Sequence, residues 1–76
     1  MATSQDQVLM TAFGKRLQEL RRERKMTQEE LADAIDTHVT TIAFIETGKK
    51  WVRLATLRKL ATTLGVEIKD LFEDVK

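Results

Sequence analysis

His38 is the only histidine of the sequence and cysteine is absent, so the side chains most used for nucleophilic attack, proton transfer and metal capture come down to one imidazole. A thiolate nucleophile, a zinc ribbon and an iron–sulfur centre are excluded, and one imidazole does not make a metal cluster. Gly14-Lys15 and Gly48-Lys49 lack the upstream glycine and the following Ser or Thr of a phosphate-binding loop. Glu29 and Glu30 are neighbouring acids of the kind that open a helix and suit its dipole. No Ser/His/Asp set or separated carboxylate pair stands out, so no catalytic residue, metal or cofactor is expected. The remaining chemistry is recognition, by cations, hydroxyls and apolar groups.

The cations are numerous but nearly balanced, for a net charge of +1. Their distribution says more than their sum. Lys15, Arg16, Arg21, Arg22, Arg24 and Lys25 crowd the first half, Lys49, Lys50, Arg53, Arg58 and Lys59 follow, and Glu67, Asp70, Glu73 and Asp74 make the tail acidic. Most such charges are solvated helix faces, but local basic clusters are also what a polyanionic partner requires.

These side chains must be positioned by helices. Leu9, Phe13, Leu17 and Leu20 recur every three or four residues and predict one buried stripe, with Ser4 and Gln7 able to cap its start. Thr27 and Glu30 have the spacing of a capping box, which predicts a second helix from about Gln28 to Ile35 with Leu31, Ala32 and Ile35 inward. Asp36, Thr37 and His38 form a short polar turn. A third helix is expected from about Val39 to Thr47, with Ile42 and Ile45 inward, Thr40, Ala43, Phe44 and Thr47 outward, and Gly48 ending it in a left-handed conformation. Leu54, Leu57, Leu60, Ala61 and Leu64 predict a fourth helix stopped by Gly65, and Ile68, Leu71 and Phe72 a short fifth. No segment alternates with period two over a useful length, so a sheet is not expected. With 76 residues, the chain reads as one domain over 1–76, all-α, a compact five-helix bundle without a separate sensing or catalytic domain.

Two short helices joined by a turn of three or four residues form a helix-turn-helix. The stretches FGKRLQELRRERKMTQEELA from Phe13 to Ala32, TIAFIETGKK from Thr41 to Lys50, and TLRKLATTLGV from Thr56 to Val66 resemble the DNA-binding domain of the phage repressor and Cro (XRE-like) family. The likeness spans Phe13 to Phe72, and the joint spacing of the three blocks carries it. It implies the lambda-repressor-like fold, and the family includes restriction–modification controllers of about this length. Three positions depart from the family's pattern: Lys25 stands where glycine is usual, His38 where a small capping residue opens the third helix, and Val52-Arg53 where a Pro-Ser pair opens the fourth.

What the resemblance implies is a transcriptional regulator, in the repressor sense, of double-stranded DNA. The third helix would lie in the major groove, with His38, Val39, Thr40, Ala43 and Phe44 facing base edges. That face lacks the Arg, Asn and Gln side chains that read G or A bidentately, so thymine methyl groups are the expected targets of Val39 and Phe44. Gln28, Lys49, Lys50 and Arg53 would hold phosphates, with Arg21 a further candidate. Arg21 and Glu46 match the family's ion pair between the first helix and the recognition helix. A homodimer on a pseudo-palindromic operator is implied, with Ile68, Phe72 and Val75, or Trp51 and Val52, as interface candidates.

The same fold also serves protein-interaction modules of the antirepressor or antitoxin type, and the apolar Val39, Ala43, Phe44 face would suit that role. The polar segment from Met1 to Val8 has no basic start and leads into no long apolar run, so neither a signal peptide nor a membrane span is expected, and the cytoplasm is the default location.

Overall fold

The computed structural model describes residues 4–75; the part of the expectation about the N-terminal segment that falls on Met1 to Thr3 lies outside them. Four α-helices follow one another: α1 (Gln5–Glu23), α2 (Gln28–Ala34), α3 (Val39–Glu46) and α4 (Leu54–Leu64). The fifth element is a correction to the expected bundle, because Ile68–Phe72 is a 3₁₀ helix. It is too short to propagate, and its backbone closes through three-residue steps such as the Asp70 amide on the Glu67 carbonyl, 3.0 Å. Among the described residues no strand forms, and no helix is long and apolar enough to cross a membrane.

Helix starts follow their local chemistry. The Ser4 hydroxyl accepts from the Gln7 amide at 3.1 Å. At α2 the capping box closes in both directions, the Glu30 amide donating to the Thr27 hydroxyl at 3.0 Å and the Thr27 amide to the Glu30 carboxylate at 2.8 Å. His38 and Arg53, at the departing positions, precede α3 and α4 with extended backbone and no side-chain cap.

All four helices end alike. The residue after the last turn turns left-handed, and the amide that follows it folds back onto the helix: Met26 on the Arg21 carbonyl, Thr37 on Ala32, Lys49 on Phe44 and Val66 on Ala61, at 2.8–3.1 Å. The left-handed residues are Lys25 (φ 55°), Asp36 (φ 57°), Gly48 (φ 76°) and Gly65 (φ 70°). Two of the four corners are thus made without glycine, against the steric preference of a Cβ.

The core is one continuous cluster whose fully buried large members are Phe13, Leu17, Leu31, Ile42, Ile45, Leu60, Leu64 and Leu71. Three residues of the expected stripes lie outside it. Leu9 is 40%, Leu54 63% and Ile68 37% exposed, and each sits in the opening part of its helix. The third helix lies closer to the first than ordinary side chains would permit. A methyl group on Gly14 would overlap the carbonyl oxygens of Ile45 and Glu46, so α1 meets the backbone of α3 directly at that point.

Candidate nucleic-acid interface

α3 is amphipathic in an uncommon way, since both of its faces contain apolar residues. Ile42 and Ile45 turn inward at 0% and 1% exposure, with the buried Glu46 beside them. On the outer face His38, Thr40 and Thr47 are exposed and Ala43 is half-buried, while Val39 and Phe44 are 40% and 42% exposed. Phe44 is therefore not a core aromatic. The Thr47 hydroxyl donates to the Ala43 carbonyl at 2.9 Å, so its proton is committed within the helix.

Glu46 fixes the orientation of this helix. One carboxylate oxygen accepts from Arg21 Nε at 2.7 Å, and the other from an Arg21 terminal nitrogen at 3.0 Å, from Gln28 at 3.1 Å and from Gln18 at 3.4 Å. The remaining Arg21 terminal nitrogen donates to the Met26 carbonyl at 2.7 Å. Every buried side-chain polar atom among the described residues has a partner. The hydrogen bond to Glu46 holds the Arg21 guanidinium above its ordinary pKa; burial opposes this, and the attraction of the carboxylate adds to it. One carboxylate thereby joins α1, the start of α2 and the end of α3.

This arrangement alters the candidate phosphate set. Arg21, a candidate for that role, is only 7% exposed and has all three guanidinium nitrogens engaged, so the structure places it inside the network and not on the surface. Gln28 is half-buried, and its amide is turned onto Glu46. Lys49, Lys50 and Arg53 are exposed on the segment that follows α3. Lys49 Nζ lies 5.9 Å from the centroid of the Phe44 ring, within reach of a cation–π contact. Arg22, an unassigned cation in the sequence, lines a polar concavity with Gln18, Gln28 and Val39 at the junction of the three helices. Neither Gln18 nor Arg22 carries a motif; their spacing from Arg21 along α1 was the available signal.

The interface candidates separate as well. Val52 is 6% exposed and packed in the core cluster, a correction to its place among the interface candidates, since a side chain buried in its own bundle leaves little surface for a partner. Trp51 and Ile68 are 44% and 37% exposed, whereas Phe72 and Val75 are half-buried against the core. Phe13 meets Trp51 edge-on and Phe72 at a tilt, both with centroids 5.1 Å apart. Among the described residues no group of three His, Asp or Glu side chains could hold a metal ion.

Two short helices packed against each other across a short turn, the second with its outer face uncovered and a basic segment at its end, define a DNA-binding helix-turn-helix domain. Residues 17–71 match the model of the helix-turn-helix family, and the chain belongs to that family. It is 38% identical over 65 residues to the control protein C.MunI of a Mycoplasma species, covering 84% of this chain and 88% of that one. It is 39% identical over 62 residues to the control protein C.BamHI of Bacillus amyloliquefaciens, covering 80% and 76%. A similar solved structure is the restriction-modification controller protein C.AhdI from Aeromonas hydrophila, with a TM-score of 0.80 at 36% identity, covering 83% of this chain and 96% of that one. The chain is accordingly a helix-turn-helix transcriptional regulator, a class that performs no catalysis.

Proposed function

We propose that this regulator binds a pseudo-palindromic operator in double-stranded DNA as a homodimer, acts there as a repressor in the cytoplasm, and serves as a controller of the restriction–modification type. The observation that carries the reading is the outer face of α3. Val39 and Phe44 remain 40% and 42% exposed, although an apolar pair of this size would gain by being covered. Base edges and thymine methyl groups in a major groove cover such a face. His38, Thr40 and Ala43 complete the reading set, and Lys49, Lys50, Arg53 and the amide-bearing start of α2 at Gln28 meet phosphates on either side.

Dimerisation follows from size. α3 has eight residues, roughly 12 Å of helix at 1.5 Å per residue, and reads one half-site. A second α3 about 34 Å away on the same side of the duplex supplies the other. Trp51, Ile68, Phe72 and Val75 offer apolar surface for that contact, with residues 1–76 acting as one domain in each subunit.

Selection of bound duplexes from a random library, followed by mobility shifts across a salt series, tests the proposal. A dimer with about six to eight phosphate contacts gives a slope of log affinity against log salt near −5 to −7. Two inverted half-sites should appear in the selected duplexes. Absence of a shift at low salt would instead assign the Val39, Ala43, Phe44 face to a protein partner.

A further inference from the structure

We infer that Gln7, in the first turn of α1 and upstream of the matched residues 17–71, is a positioning residue that holds the basic segment after the recognition helix in place. Its side-chain amide donates to the Gly48 carbonyl at 2.8 Å and lies 3.2 Å from the Thr11 hydroxyl. Gly48 is the left-handed residue at which the chain leaves α3, and Lys49 and Lys50 come next. Among the described residues, this is the one side-chain hydrogen bond received by the backbone between Gly48 and Val52.

Three further observations place the same part of α1 against the segment. A Cβ on Gly48 would come within 2.6 Å of the Thr11 hydroxyl and 3.0 Å of the Thr11 Cα, so the two backbones nearly touch. Leu9 and Met10 line a groove with Trp51, three residues past Gly48. Phe13, one turn further on, holds the Trp51 ring edge-on. Ser4 caps the turn that carries Gln7, so the donor comes from a helix end that is itself anchored.

The segment has no helix or strand of its own. A freely moving segment would lose conformational entropy whenever two lysines were fixed on phosphates, and a tether that orders it beforehand removes that loss from binding. Gln7 does this without touching DNA. Its effect on DNA rests on the proposed contacts of Lys49 and Lys50 with phosphate; its effect on the segment does not.

The test is Gln7→Met, which keeps the length of the side chain and deletes the donor, in the full chain. Loss of one hydrogen bond is expected to speed exchange of the Lys49 amide, which is bonded to the Phe44 carbonyl at 2.8 Å, about three- to tenfold and to weaken DNA binding by a similar factor. The weakening should be equal on selected and unrelated duplexes, with the salt slope reduced by about one. The melting temperature should stay within a few degrees, and exchange in α2 and α4 should be unchanged. Unaltered exchange at Lys49 would overturn the inference, as would weakened binding that merely tracked a fall in melting temperature. If the unmodified chain bound no duplex, the proposed operator would fall while the exchange measurement still decided the tether.

Discussion

Arg21 and Glu46 meet through two nearly parallel hydrogen bonds, 2.7 and 3.0 Å long, with side chains 9% and 0% exposed. Removing one partner strands the other. Glu46→Ala leaves a buried guanidinium and two glutamine amides without their acceptor, and a loss of about 3–5 kcal/mol is expected. Thermal unfolding checks this, and a change no larger than that of an exposed substitution such as Glu19→Ala would remove the pair from the account of stability. The raised pKa of Arg21 means that its contribution is fully present below the ordinary arginine pKa and is lost only as pH rises through the still higher folded value. Arg21 titration should therefore leave the melting temperature flat across the neutral and mildly alkaline range.

Lys25 turns the corner out of α1 with φ 55°. A lysine there carries a Cβ into a conformation that costs on the order of 1 kcal/mol. Lys25→Gly is expected to raise stability by up to that amount, or roughly 4–8 °C in melting temperature for a domain of this size. Asp36→Gly should yield less, because aspartate tolerates the left-handed region better than lysine does. Equal or opposite responses in a thermal melt would contradict this steric account.

Gly14 and Gly65 are glycine for different reasons. At Gly14 the obstacle is the backbone of α3, whereas around a Cβ on Gly65 nothing lies within 4 Å and only its φ of 70° resists substitution. Gly14→Ala should cost about 1–3 kcal/mol and shift α3, and Gly65→Ala about 1 kcal/mol with α3 in place. Backbone chemical shifts of Thr40 to Phe44 separate the two, and a disturbance in the Gly65 variant equal to that in the Gly14 variant would refute the distinction.

Phe44 and Lys49 sit together but are expected to fail differently. Phe44→Ala removes the proposed apolar contact with a base, so it should relax discrimination at a thymine position and mimic the effect of replacing that thymine by uracil. Lys49→Ala removes a proposed phosphate contact and should lower affinity uniformly, with the salt slope falling by about one. Binding isotherms on thymine- and uracil-containing duplexes decide the matter. No loss with uracil would count against methyl recognition.

Local signals in the chain foretold local structure. The Thr27 and Glu30 spacing specified both bonds of the capping box, and the Ile42, Ile45 pair oriented α3. Leu9 and Leu54 had the right period but the wrong surroundings, since periodicity marks a face and not whether another element reaches it. The 3₁₀ geometry of Ile68–Phe72 was not legible, because a run of five residues has too little pattern to separate it from an α-turn. At the site, the outward residues of α3 could be placed on its helical wheel. The withdrawal of Arg21 and Val52 from the surface could not, nor could the contact of Gln7 with Gly48 across 41 positions, which has no periodic or motif signature.

The carboxylate shared by three helices has a consequence for target choice. A reading head bolted at its centre cannot flex to follow an imperfect groove, so on the proposed two-half-site operator the duplex would supply the adjustment by bending or twisting between the half-sites. Exchanging the central steps between the proposed half-sites, a pliable TA for a stiff A-tract, should then alter affinity through deformability alone.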